Sequence, residues 1–358
     1  MFLVIVTHWG PHTIHASKVL TFALTRLLPD GLFGVDLFFV LSGFLITSIL
    51  IQARTAASPG NRIQIVKAFY IRRALRIFPI YFMLLGLMYL LGDTYLKNNL
   101  IYFLTYTSNL WVFHSKSWQS LSHTWSLAVE EQFYLIWPWV IIFSPKKYLA
   151  SISAACFLIG FSSSILFAHL YGHFFYVLAL PCLTAFSVGS FYASVKLETT
   201  VHPKVKIAFQ LLLLVAIPFF LLYQFGYQFA FNRAVNAVIA INLVMYVAEQ
   251  KYGMIASFVL NNNFLAGIGK ISYGIYLYHY VFPGIYYGGL DYLDQQWHFN
   301  AYIMHILRNP PGAYLVQLIL VLGISWASYH FFELQVIRLK RRFKYIRHSA
   351  IEQESGNG

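Results

Sequence analysis

Two adjacent carboxylates, Glu130 and Glu131, stand near the start of a run that reads His123-Thr124-Trp125-Ser126 and continues as apolar sequence to Phe143. A charged side chain at the centre of a bilayer costs about 2.5–3.5 kcal/mol, so an acid kept there has work to do. On a helix Glu130 and Tyr134 share a face, while Glu131 is turned about 100° away. Only one of the two acids can therefore meet a given partner. With Trp125, Ser126 and Tyr134 around it, Glu130 marks a polar site in an apolar bundle.

Five other places carry groups of this kind. His8 lies in the apolar stretch Val4-Ile5-Val6-Thr7-His8-Trp9. It reads either as a helix-end residue at an interface or as a general base, since an imidazole takes a hydroxyl proton near neutral pH. Asp36 is a lone acid in an aromatic helix, either placed at an interface or holding a His or Arg of the site. The following Ser42-Gly43 allows close helix packing. Arg72, Arg73 and Arg76 precede an apolar run. They serve equally as an orientation signal or as a fork-shaped clamp for phosphate. Tyr276, Tyr278 and His279 give one helix a weakly polar aromatic surface, and Glu333 is a late acid before a basic run. Cys156 and Cys182 lack metal-ligand spacing and read as small core residues, so no metal is expected.

The elements that must position these groups follow from composition. The chain has 358 residues, 59% hydrophobic and only 10% charged. Soluble domains carry roughly 25% charged residues, so this chain cannot cover a water-facing surface and is read as lipid-embedded. At about 20 residues per crossing there is room for around ten transmembrane helices. The apolar runs are continuous rather than alternating, which predicts an all-α polytopic membrane protein, not a barrel. The expected helices are 1–9, 32–51, 77–92, 130–144, 149–169, 174–195, 206–223, 230–248, 264–288 and 313–334. Residues 98–113 are too short and too broken to cross, and are expected to be re-entrant or interfacial.

The net charge of +13 could suggest nucleic acid in a soluble protein. Here most Lys and Arg fall in short segments between apolar runs, on the side that an even number of crossings places in the cytoplasm. Both termini are therefore expected to be cytoplasmic, and no nucleic-acid partner is expected. Residues 1–345 read as the membrane domain and 346–358 as a polar cytoplasmic tail. Residues 1–9 are too short to cross a bilayer, which predicts a truncated first helix. No P-loop, dinucleotide fingerprint, HExxH, CxxC or Gly-x-Ser-x-Gly motif is present, which weighs against ATPase, dehydrogenase, metalloprotease and serine-hydrolase chemistry.

Taken in order, His8, GVDLFFVLSGFLIT (34–47), FYIRRALRIFPIYF (69–82), HTWSLAVEEQFYLIWP (123–138), ISYGIYLYH (271–279) and SWASYHFFE (325–333) resemble the membrane acyltransferase-3 family, bacterial integral-membrane O-acyltransferases of surface polysaccharides. The resemblance spans nearly the whole chain. It implies a multi-pass protein of the bacterial cytoplasmic membrane that transfers an acyl group, acetyl above all, from cytoplasmic acyl-coenzyme A to a hydroxyl of a cell-surface or lipid-linked glycan. It makes His8 the general base or transient acyl carrier, with Glu130, or Asp36 in its place, orienting the imidazole. Arg72, Arg73 and Arg76 would hold the coenzyme A phosphates. Trp125, Ser126, Tyr134, Tyr276, Tyr278 and His279 would shape the sugar or acyl cavity. Family members carry a functional Arg shortly before the first His, and it has no counterpart here. The rival reading is a polytopic transporter or flippase, for which intramembrane Asp, Glu and His are equally suited, although no pair of Gly- or Pro-broken helices in two matching halves is found.

Overall fold

A computed structural model describes residues 1–9, 28–196, 203–249, 253–298, 300–309, 312–343 and 345. The expected polar tail lies outside the described residues, as does much of the loop that follows the first helix. Among the described residues every regular element is helical, in agreement with an all-α polytopic membrane protein. In chain order these are α1 (Phe2–Trp9), α2 (Gly31–Ala56), α3 (Arg62–Leu90), α4 (Thr94–Asn98), α5 (Leu100–Leu104), α6 (Ser108–Ser115), α7 (Trp125–Phe143), α8 (Leu149–Tyr171), α9 (Ala179–Val195), α10 (Pro203–Gln224), α11 (Asn232–Ala248), α12 (Met254–Leu260), α13 (Asn263–Tyr278), α14 (Phe282–Trp297), α15 (Ala301–Arg308), α16 (Gly312–Ser328) and α17 (Leu334–Arg338).

Among the described residues five helical segments are long and apolar enough to cross a membrane: 31–56, 62–90, 146–177, 203–224 and 312–342. The helices α9 and α11 are shorter but apolar, and α7 and α13 carry most of the polar residues singled out above. Helix starts follow local chemistry. The Asp30 carboxylate caps α2 by accepting from the Phe33 amide at 2.9 Å, and Asp93 caps α4 by accepting from Leu96 at 2.7 Å, each satisfying an orphan donor of the first turn. Pro79 and Pro138 lie inside α3 and α7, and each removes one backbone donor from its helix.

Three boundaries differ from expectation in ways that matter. Helix α3 starts at Arg62 rather than residue 77, so the arginine trio rides on the helix instead of in a loop. Arg, Lys, Gln and Ala are good helix formers, and a charged first half does not stop a helix that only later enters lipid. The expected helix 264–288 is two: α13 ends at Tyr278, and α14 begins at Phe282 with Pro283 in its first turn. Proline fits there, where its missing N–H has no helical partner to lose. Helix α7 begins at Trp125, which puts Ser126 and Glu130 on one helix. Residues 98–113 run from the end of α4 through α5 into α6, none of them long enough to cross.

The tightest crossing joins α2 to α9. A methyl at Gly43 would overlap the carbonyl oxygen of Phe186, and one at Gly189 would overlap that of Val40. This is the close approach that Ser42-Gly43 predicts. Thr47 and Ser190 hydrogen-bond across the seam at 3.0 Å, and the Trp137 indole of α7 donates to Thr47 at 2.7 Å. At the far end of the chain a π-turn, Tyr329–Glu333, joins α16 to α17.

Candidate active site

The site has two tiers, joined by one face of α7. The first tier gathers the ends of α1 and α13 and the turn before α7. The Nδ1 of His8 lies 2.8 Å from Nε2 of His279, and Nδ1 of His279 lies 2.7 Å from the Tyr276 carbonyl oxygen. A carbonyl can only accept, so Nδ1 of a neutral His279 carries the proton and its Nε2 is a bare lone pair. That lone pair must then accept from Nδ1–H of His8. The remaining nitrogen of His8, Nε2, is left as the free base, with no partner among the described residues, on an exposed side chain.

Backbone contacts fix this pair. The Trp9 indole donates to the His279 carbonyl at 2.8 Å, and the Gly31 amide donates to the Thr7 hydroxyl at 2.7 Å. Tyr280 presents its edge to His8 at 4.9 Å between centroids and stacks on His123 at 4.8 Å. His123 is buried. Burial and then the neighbouring imidazoles of His279 and His8 hold it well below the ordinary histidine range, so it is neutral. The Tyr276 hydroxyl donates to the His123 carbonyl at 2.5 Å, which makes Ser126 the donor in its 2.8 Å contact with that hydroxyl.

One turn further along α7, about 6 Å away at 1.5 Å per residue, is the second tier. Glu130 is buried and accepts from Ser42 of α2 and, at 2.9 Å, from the Tyr134 hydroxyl. The Arg73 guanidinium lies over the Tyr134 ring at 4.8 Å, and the charges of Arg73 and Arg76 both act on Glu130. Desolvated charge of one sign is thus balanced by charge of the other, which is what makes a buried carboxylate tolerable. Arg76 also acts on Glu333, whose Oε1 is buried without a hydrogen bond.

Several expected roles fall differently. Glu130 does not orient His8: its Oε1 accepts from both Ser42 and Tyr134, and the partner of His8 is a second histidine. Asp36 does not reach His8 either. It ion-pairs with Arg233 of α11 at 3.2 Å and accepts from Asn236 at 2.9 Å. Arg233 in turn donates to the Tyr176 carbonyl at 2.9 Å and contacts the Cys182 sulfur. Asp36 is therefore a buried lock between α2, α9 and α11, because an acid in apolar surroundings takes the nearest cation.

The arginine trio divides too. Successive residues point about 100° apart, so Arg73 faces Tyr134 while Arg72 donates to the Lys340 and Phe343 carbonyls at 3.2 and 3.1 Å. Trp125 packs edge-on against Phe39 and Tyr176, and Tyr278 donates to Ser328 of α16 at 3.0 Å. Both are wall, not lining, of the histidine tier. His8, Ser126, Tyr276 and His279 come together, with His123 and Tyr280 added. Arg233 is the functional partner missed in the sequence; a lone Arg inside the apolar stretch 230–248 was its signal. Among the described residues no cluster of His, Cys, Asp and Glu could hold a metal.

The acyltransferase domain family, acyltransferase-3, matches residues 1–330. The chain is 32% identical over 314 residues to the Bacillus subtilis (strain 168) protein named "Putative peptidoglycan O-acetyltransferase YrhL", covering 76% of this chain and 47% of that protein. It is 29% identical over 284 residues to the peptidoglycan O-acetyltransferase OatA of Listeria monocytogenes, covering 70% of this chain and 44% of that one. The chain thus spans less than half the length of these curated relatives. No solved structure matches it. Since the match runs through each of the elements that bring His8, Glu130 and His279 into place, the chain belongs to the acyltransferase-3 family.

Proposed function

We propose that the protein transfers an acetyl group from acetyl-coenzyme A to a hydroxyl of a glycan, at the outer face of a bacterial cytoplasmic membrane. The observation that carries this is the hydrogen-bonded run from the Tyr276 carbonyl through His279 to His8, which leaves a neutral imidazole with an exposed, unprotonated Nε2. That nitrogen takes the proton of the acceptor hydroxyl as its oxygen attacks the thioester carbonyl. The carbon–sulfur bond breaks, an oxygen ester forms, and the His8 proton passes to the departing thiolate. As positive charge builds on His8, His279 accepts its Nδ1–H and holds the ring in line, the part an orienting group plays beside any such base.

The donor enters from the opposite side. A groove of about 640 Å³ lined by Lys67, Arg341, Arg342 and Tyr345 opens there, and Arg72 sits over the Tyr345 ring at 5.0 Å. Its cations suit the coenzyme A phosphates, and the aromatic rings suit the adenine. Arg73 and Arg76 lie further in, where their charges act on Glu130. The peptidoglycan named for the relatives makes a glycan strand the first acceptor to try.

The test uses the full chain in proteoliposomes with labelled acetyl-coenzyme A and a glycan oligosaccharide. His8→Ala is expected to lower transfer by about 10²–10⁴, the usual worth of a general base, with folding unchanged by thermal melting. Transfer at the unaltered rate in His8→Ala refutes the assignment, and a wild-type chain that leaves the thioester intact refutes the reaction.

A further inference from the structure

We propose that a cleft beside the histidine tier is the acceptor site, built to take uncharged sugar rings of a glycan strand. This rests on the reading of the reaction given above and adds the place where the acceptor is held. The cleft has a volume of about 830 Å³, within the range of about 300–1,000 Å³ that encloses a small ligand. It lies between the end of α3 with the start of α4, the loop before His123 and the start of α14. Each of these is at the end of its helix opposite the basic segments, on the same side as His8.

Its lining states the ligand. Tyr95, Trp118 and Tyr280 line it with aromatic rings, and Asp93, Gln119 and Ser120 with polar groups. Aromatic rings together with hydrogen-bonding groups match a pyranose, which has an apolar C–H face and a rim of hydroxyl and amide groups. Among the described residues no Lys or Arg lines the cleft and one acid does, a lining that turns away the phosphates of the donor. The floor is kept open by glycine. Gly284 and Gly288 are one turn apart on α14, both line the cleft, and a Cβ added at either meets nothing within 4 Å.

The cleft is joined to the base. Tyr280 is a wall of the cleft and is also the ring that stacks on His123 and edges His8. On the other wall, Ser122 accepts from the Gln119 amide at 2.8 Å and stands 3.5 Å from the Tyr95 hydroxyl. It directly precedes His123. Leu121 beside it is buried in a left-handed backbone conformation, φ 62°, a strained geometry that persists only where its surroundings enforce it. The cleft wall and the histidine tier are therefore one continuous piece of chain, and a sugar resting on Tyr280 brings a hydroxyl toward Nε2 of His8.

Two measurements on the full chain in detergent test this. The first is binding of a fluorophore-tagged N-acetylglucosamine tetrasaccharide without donor. The wild type should bind it. Trp118→Ala and Gly288→Phe, the second filling the floor, should each weaken binding about tenfold or more, the worth of a lost ring face. The second is transfer from labelled acetyl-coenzyme A to the tetrasaccharide, in which the KM of Gly288→Phe for the tetrasaccharide should rise by about the same factor as its Kd. A wild type that does not bind the sugar, or a Gly288→Phe variant that melts normally and binds it as well as wild type, overturns the proposal. Sugar binding that is lost as expected, in a chain that never consumes the thioester, keeps the cleft and removes the reaction.

Discussion

Gly43→Ala tests the crossing on which both tiers depend. The added methyl overlaps the Phe186 carbonyl oxygen and comes within 2.9 Å of its carbon, and the same change at Gly189 comes within 2.7 Å of the Phe44 amide nitrogen. All these neighbours are backbone, so no rotamer change gives relief. Unstrained carbon contacts lie at about 3.5–4.0 Å, so α2 and α9 must part by roughly 1 Å, a gap that forfeits about a quarter to a half of each dispersion contact along the seam. Overpacking costs about 1–3 kcal/mol, and the rigid neighbours place this case at the upper end. At an unfolding entropy of about 2.1 cal/mol/K per residue, a chain of 358 residues should lose roughly 4 °C in Tm in detergent. Gly86→Ala is the control, since its methyl meets nothing within 4 Å and gains helix propensity. Gly43→Ala with Gly189→Ala should cost less than the sum of the two, because one separation relieves both overlaps. Unchanged melting in Gly43→Ala, or full additivity in the double variant, refutes the crossing as described.

Removing one half of the buried lock should be far worse than removing both. Arg233→Met leaves the Asp36 carboxylate uncompensated and should cost about 3–5 kcal/mol, while Arg233→Met with Asp36→Leu should recover most of it; thermal melting of the two variants decides, and equal losses would contradict the pairing. His279→Phe keeps a ring in place but cannot accept from His8. The kcat should fall by about 10² with KM for the glycan nearly constant, and nitrogen NMR of His8 should show its proton on Nδ1 in the wild type but not fixed there in the variant. Wild-type kcat in His279→Phe would remove His279 as a positioning residue.

What the sequence could tell differed from residue to residue for physical reasons. Lipid exposure leaves a strong trace, because a bundle cannot hide its composition; hence the all-helical architecture and most helix positions were legible. So was one half of the glycine seam, at Ser42-Gly43, since small residues in an apolar helix have few other uses. Glu130 and Tyr134 could be placed on one face from their spacing alone. Partner choice could not. Asp36 and Glu130 are both lone acids in apolar runs, and only packing decides that the first takes Arg233 and the second takes Ser42 and Tyr134. The His8–His279 pair joins residues 271 positions apart, a separation for which no periodicity speaks. Helix starts were misplaced where charge preceded lipid, at α3, because charge marks the membrane boundary and not the helix boundary.

The π-turn at Tyr329–Glu333 carries a consequence for how the end of the chain is aimed. One extra residue in a regular helix swings everything beyond it by about 100°, whereas a π-turn takes up that residue locally. The stretch on either side thus keeps a common phase, with Glu333 buried and α17 lying against α3. Straightened into uniform α-helix, the same residues would rotate Arg338 to Arg342 off the bundle and release the two carbonyls that hold Arg72. A single surplus residue, absorbed in one widened turn, is what indexes the basic mouth of the protein to its interior.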